Sequence, residues 1–100
     1  DKRLAEHART FRALTEEFLK KQEKEGRAIS TLKKNRWVLD MALAEIGNEP
    51  ATALRAPAVL KVLKKVEARG TYETARRLKV MIGAVMRYGM AIGWVEADPT

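Results

Sequence analysis

Apolar side chains recur along this chain at intervals of three and four residues, the spacing that places them on one face of an α-helix. Four such stretches end at Gly26, Gly47, Gly70 and Gly93, positions where a left-handed backbone commonly closes a helix. No stretch alternates apolar and polar residues as a half-buried strand does. The pattern therefore predicts an all-α bundle of four helices.

Each predicted helix has a start signal and an apolar face. The start signals, in chain order, are Thr10, Ser30–Thr31, Pro57 and Thr71. Gly89 lies on the apolar stripe of the fourth helix, which indicates close packing against another helix, since glycine there lowers helix propensity. The residues expected in the core are Phe11, Leu14, Phe18, Leu19, Leu32, Leu39, Leu43, Ile46, Val59, Leu60, Val62, Leu63, Val66, Ala75, Leu78, Ile82, Val85 and Ile92.

Composition excludes several classes of function. The chain has 100 residues, 46% of them hydrophobic, which suffices for one domain with its own core. It has no cysteine and one histidine, His7, which we expect to be exposed; a disulfide scaffold and a His/Cys metal cluster are excluded, and no metal or cofactor is expected. Charges interrupt every apolar run before the roughly 18 residues of a membrane span, and no signal-peptide pattern is present. We therefore expect a soluble, intracellular chain with no membrane partner.

Basic residues outnumber acidic ones by 20 to 13 and lie mainly in two zones. The stretch from Arg55 to Arg87 holds nine basic residues but only Glu67 and Glu73 as acids, and the stretch 26–39 contains no acidic residue. Two basic zones on one small domain favour a polyanionic partner, most simply nucleic acid. The alternative at this point is a basic surface that is merely solvated.

An ordered series of short motifs runs from about residue 10 to residue 100. In chain order these are Thr10-Phe11, Phe18-Leu19, Ser30-Thr31-Leu32, Ile46-Gly47, Gly70–Leu78, Arg87-Tyr88-Gly89, Ile92-Gly93 and Asp98-Pro99. The series resembles the core-binding domain of phage-type integrases, the tyrosine site-specific recombinases. Its most specific part, Gly70–Leu78 with the motifs downstream, is similar to the prophage and satellite-phage branch of that family.

The resemblance implies a four-helix, SAM-like orthogonal bundle taken from the middle of a larger enzyme. Residues 1–9 would then end a linker from an arm-binding domain, residues 10–97 would form the core-binding domain, and residues 98–100 would begin the linker to a catalytic domain. In such enzymes the two domains clamp the crossover site, and a tyrosine of the catalytic domain attacks the scissile phosphate. The implied partners are double-stranded DNA and other recombinase protomers. The chain alone is then a cytoplasmic, monomeric, non-enzymatic piece.

The residues expected to bind DNA are polar ones that the bundle cannot bury. Arg76, Lys79 and Arg87 lie opposite the apolar stripe of the fourth helix when each residue advances by 100°. Lys33 and Lys34 lie off the stripe of the second helix, and hydroxyls and amides at a helix start also suit phosphate. The resemblance implies that these two helices approach the major groove. The full set is Arg27, Ser30, Thr31, Lys33, Lys34, Thr71, Arg76, Arg77, Lys79 and Arg87.

Two other functions remain open from the sequence. The chain could be a small basic interaction module that docks through an exposed apolar patch of Trp37, Met41 and Trp94. It could also be a freestanding DNA-binding regulator, although the predicted corner at Gly70 is shorter than the turn of a helix-turn-helix motif. Trp37 could instead cover the edge of the first helix as a core residue. For Tyr88 we expect a place at the bundle edge or facing DNA, and no nucleophilic role.

Overall fold

Four α-helices occupy most of the part of the chain that the computed structural model describes, residues 9–95. The helices are α1 (Phe11–Lys24), α2 (Ile29–Ile46), α3 (Ala56–Arg69) and α4 (Tyr72–Ala91), and a short 3₁₀ turn, Ala51–Ala53, lies between α2 and α3. The prediction of an all-α bundle of four helices is confirmed. His7, most of the expected linker at 1–9 and all of that at 98–100 lie outside the described residues.

The helix starts follow the sequence signals in three cases. The Thr10 hydroxyl accepts a hydrogen bond from the Ala13 amide, and the Thr71 hydroxyl accepts one from the Thr74 amide, both at 3.1 Å. Each hydroxyl therefore satisfies one of the amides that a helix start leaves without a partner. Pro57 lies in the first turn of α3, where its missing N–H costs nothing.

The predicted start of α2 is wrong. This helix begins at Ile29, its cap is Ala28, and Ser30 and Thr31 lie inside the first turn. The preceding Gly26 closes α1 with a φ of 84°, so the reversal of the chain is complete within two further residues. The backbone turns helical before it reaches the hydroxyl residues, and α2 starts without a side-chain cap.

The glycines after the helices behave in two ways. Gly26 and Gly93 have φ angles of 84° and 81°, the left-handed conformation that the sequence predicts. The prediction of a left-handed backbone is wrong at Gly47 and Gly70, whose φ angles are −60° and −135°. The presence of glycine at the end of α2 therefore needs an explanation other than a left-handed backbone.

At Gly47 the cause is crowding. A Cβ atom built there would meet the Leu43 carbonyl oxygen and would lie 2.8 Å from Nη2 of Arg12. That guanidinium reaches from α1 to donate to the same carbonyl at 3.2 Å. The absent side chain thus leaves room for an arginine of α1 to cap the carboxyl end of α2.

The predicted core residues are buried except at four positions, and Trp37, which the sequence left as a possible core residue, is exposed. Trp37 is exposed, so its interpretation as a core residue is wrong: its neighbours Val38 and Leu39 take the buried side of α2. Leu60 is exposed because the buried stripe of α3 is narrow. Ile92 is exposed because α4 ends just before it and the chain reverses, which buries Val95 instead. Leu32 and Leu63 are only half-buried.

The predicted close approach at Gly89 is confirmed. A Cβ atom at this position would lie 2.7 Å from Cδ2 of Leu14 and 3.1 Å from Cγ2 of Val95. Leu14 is completely buried, so α1 and α4 come together at a position of α4 where a side chain is missing. This contact sets the distance between the first and last helices of the bundle.

Candidate nucleic-acid interface

The outward face of α2 carries Lys33 and Lys34, both exposed. Neither takes part in any of the four ion pairs formed within residues 9–95. Arg36, three residues from Lys33, is used differently: its guanidinium donates to both carboxylate oxygens of Glu16 on α1, at 2.9 and 2.7 Å. The two lysines are therefore available to an anionic partner, whereas Arg36 links α2 to α1.

The hydrogen bond from Arg36 lowers the pKa of Glu16 below its ordinary value, and the same bond raises the pKa of Arg36. Because the carboxyl pKa is depressed in the folded state, the pair stabilises the fold above the ordinary pKa of a glutamate. This contribution is lost as the pH falls through the lowered pKa. Near neutral pH Glu16 is thus ionised and holds Arg36 against α1.

The amino end of α2 presents backbone amides. The first helical hydrogen bond of α2 runs from the Leu32 amide to the Ala28 carbonyl at 3.0 Å. The amides of residues 29–31 precede it, and Ala28 has no polar side chain that could cap them. Arg27, exposed, lies just before this end, and Ser30 and Thr31 lie in its first turn. Such a helix start is suited to a phosphate group.

On α4, Arg76 and Lys79 are exposed and, like the two α2 lysines, are absent from the ion pairs among the described residues. Arg87 is exposed two turns further along the same helix. The Thr71 hydroxyl is engaged as the cap of α4 and lies 3.1 Å from the Thr74 hydroxyl. Arg76 and Lys79 are therefore the cations of this helix that we treat as available to an anion.

A chain of polar side chains connects α1, α2 and α4. Nη2 of Arg77 lies 3.5 Å from Oδ1 of Asn35, and Nδ2 of Asn35 donates to Oε1 of Gln22 on α1 at 3.0 Å. Asn35 and Gln22 are both buried, while Arg77 remains exposed. Sequence reasoning missed both buried residues, although a polar residue inside the apolar stripe of α2 was a visible signal.

The packing of the helices brings the predicted DNA-binding residues onto neighbouring elements. Helices α2 and α4 pack against each other, and Arg77 spans their junction. Helix α3 packs against both, and its Lys65 pairs with Glu45 of α2 at 3.0 Å. Lys61 and Lys64 of α3 are exposed as well. Nine of the ten predicted residues are exposed, and Thr31 is half-buried.

The predicted apolar docking patch is smaller than the sequence suggests. Met41 and Trp94 are half-buried against the core, and the Trp94 ring lies 5.4 Å from the Arg9 guanidinium carbon. Trp37 alone of the three is widely exposed. A surface of this kind offers little apolar area for a protein partner. None of the helices described is both long enough and apolar enough to cross a membrane.

Tyr88 lies at the edge of the bundle. Its ring is half-buried and tilted against Phe18, with 6.1 Å between ring centroids, and Nζ of Lys21 lies 5.7 Å from its centroid. The ring is thus held by packing on α1.

We expect no covalent adduct between this chain and DNA, because the packing of Tyr88 against Phe18 gives it a structural role. The measurement is incubation with a nicked suicide duplex followed by denaturing electrophoresis, with Tyr88→Phe as the matched variant. A slow-migrating adduct that disappears in Tyr88→Phe would contradict the prediction and make Tyr88 a nucleophile.

The fold and the exposed cations define a class: a small basic helical domain in which the adjacent helices α2 and α4 both carry exposed cations. The family model described as the phage integrase central domain matches residues 11–100, and the chain belongs to this family of tyrosine recombinase domains. The family predicted from the motifs is thereby confirmed.

Two curated relatives share parts of this sequence. The chain is 38% identical over 55 residues to prophage integrase IntA of Escherichia coli (strain K12), a match that covers 55% of this chain and 13% of that protein. It is 32% identical over 54 residues to the integrase of Enterobacteria phage P4, covering 54% of this chain and 12% of that protein. The matched part is thus a small fraction of each relative. No solved structure matches the chain.

Proposed function

We propose that this chain is the DNA-binding domain of a tyrosine recombinase and clamps the crossover site during site-specific integration or excision. The observation that carries the proposal is that two helices packed against each other, α2 and α4, each present two exposed cations that join no ion pair formed within residues 9–95: Lys33, Lys34, Arg76 and Lys79. Such cations bind phosphate oxygens and release condensed counterions from the duplex. Membership of the phage integrase central domain family supports the same function.

The arrangement of the helices suits a duplex. An α-helix fits the major groove, and phosphates line both of its edges. Because α2 packs against α4, one duplex can meet cations from both helices, together with the uncapped amino end of α2. Arg77, anchored through Asn35, contributes a guanidinium at the junction of these helices. Arg27, Ser30, Thr31, Thr71 and Arg87 complete the proposed surface.

The strand-breaking chemistry belongs, in this proposal, to another domain of the parent protein. This chain supplies affinity and register on the duplex, and a tyrosine of the catalytic domain forms the phosphotyrosyl bond. Further recombinase protomers on the same DNA are the other proposed partners. Since only one part of the clamp is present, the chain alone should bind with a Kd on the order of micromolar or weaker at physiological salt.

The salt dependence of binding tests this function. We expect log K for a duplex to fall with log salt with a slope of about −4 or steeper. Each phosphate contact contributes about −0.9, so Lys33, Lys34, Arg76 and Lys79 account for about −4, and contacts by the other cations of the proposed surface add to it. The measurement is a fluorescence-anisotropy titration of a labelled duplex at four or more salt concentrations. A salt-independent affinity, or no binding at low salt, would overturn the proposal and leave an apolar protein partner as the better explanation.

A further inference from the structure

Large apolar side chains are exposed on the cationic face of α2. Ile29 is 72% exposed and Trp37 is 59% exposed. They lie four residues before and four residues after Lys33, so the three side chains form one row along the helix, with neighbours about 5–6 Å apart. The lysine thus stands between two apolar groups that the bundle leaves in water.

The same arrangement occurs on α4. Tyr72 is 76% exposed and Val80 is 60% exposed, and they lie four residues before and after Arg76. A surface that bound only phosphate would gain little from large apolar groups between its cations. We use the term flanking apolar residues for the set Ile29, Trp37, Tyr72 and Val80.

The charges of Lys33 and Arg76 restrict which kind of partner surface can cover these two rows. Neither Lys33 nor Arg76 has an ion-pair partner within residues 9–95, so an apolar protein surface placed over either row would bury an uncompensated charge. A duplex avoids this cost, because its phosphates neutralise the cations. A long, flexible cationic side chain can bend to the phosphates at the rim while the apolar side chains beside it stay over the groove.

The apolar group that base edges offer in the major groove is the 5-methyl group of thymine. We propose, on the basis of the DNA binding proposed above, that the flanking apolar residues contact thymine methyl groups and give this domain a preference for thymine at the positions they cover. Phosphate contacts by Lys33 and Arg76 then set the register, and the apolar neighbours read the methyl groups. One DNA duplex that contains thymine thus covers both rows.

The test compares two duplexes of the same A·T-rich sequence, one with thymine and one with deoxyuridine at every such position. The replacement removes the methyl groups and keeps every base-pairing group. For the unchanged chain we expect weaker binding to the deoxyuridine duplex, by about fourfold for each methyl group contacted, the value of one buried CH₂ group. Trp37→Ala/Val80→Ala, which keeps Ile29 and Tyr72, should discriminate between the two duplexes less than the unchanged chain does.

The matched control is Leu60→Ala, which truncates an exposed apolar residue of α3 and should keep the full discrimination. The helical signal in circular dichroism verifies the fold of each variant. If the double variant unfolds, Val80→Ala replaces it, and this single change should reduce the discrimination between the two duplexes. If the unchanged chain binds both duplexes equally and in a salt-dependent way, this inference alone is overturned. A double variant that discriminates as strongly as the unchanged chain also overturns it. Absence of salt-dependent binding to either duplex overturns the proposed function itself.

Discussion

Changing Arg76 and Lys79 together to alanine should weaken binding to duplex DNA by on the order of tenfold at physiological salt. The slope of log K against log salt should become shallower by about two units, one for each lost phosphate contact. Lys33→Ala/Lys34→Ala should act in the same way from α2. The loss should be similar for unrelated sequences, because phosphates carry no sequence information. Anisotropy titrations over a salt series measure both quantities.

The control is Lys61→Ala/Lys64→Ala, which removes two exposed cations from α3. We expect its slope to stay close to that of the unchanged chain. All six cations are exposed, so their replacement should leave the melting temperature almost unchanged, which separates lost contacts from a lost fold. If the α3 pair weakens binding as much as the α4 pair, affinity comes from diffuse positive charge and the assigned face is wrong.

Much of this fold is predictable from local pattern. The spacing of Phe11, Leu14 and Phe18 marks the buried side of α1, and glycines mark the helix ends, because both signals act within a few residues. The start of α2 was mispredicted since the preference of Ser30–Thr31 for a cap is a weak local term. The length of the preceding turn decides where that helix begins.

In the candidate site, too, local pattern predicts some features and not others. Counting 100° per residue places Arg76 and Lys79 off the buried stripe of α4, and the structure leaves both exposed. The pairing of Arg36 with Glu16 joins residues twenty positions apart and depends on the packing of α1 against α2. The same holds for the contact of Arg77 with Asn35. No local pattern encodes such pairs, so the sequence alone could not separate paired from unpaired cations.

The exposure of Trp37 is a further feature that the local sequence does not predict. A large aromatic residue is usually at least partly buried, and its position beside Val38 and Leu39 was compatible with a place over the edge of α1. Only the packing of α2 shows that the two following residues take the available contacts. An exposed Trp37 next to Lys33 then changes from a core candidate into a candidate for the DNA surface.

Truncation of Leu14 should produce the largest loss of stability among the changes considered. Leu14 is completely buried where α1 meets α4, so Leu14→Ala should lower the free energy of unfolding by about 2–5 kcal/mol through lost burial and a cavity. Urea denaturation followed by circular dichroism measures the change. A loss below about 1 kcal/mol would show that the contact between α1 and α4 is looser than this structure has it.

Gly89→Ala should lower the free energy of unfolding of the unchanged chain but raise that of the Leu14→Ala variant. In the unchanged chain the new Cβ would lie 2.7 Å from Cδ2 of Leu14, a side chain packed on all sides, and overpacking of about 1–3 kcal/mol should exceed the roughly 1 kcal/mol gained in helix propensity. In Leu14→Ala the obstructing atoms are gone, so the same substitution should stabilise. Because the two changes share one space, their effects cannot add, and a double-mutant cycle should give a coupling above about 1 kcal/mol. Additive effects would mean that Val95, whose Cγ2 lies 3.1 Å from the same point, is the obstacle.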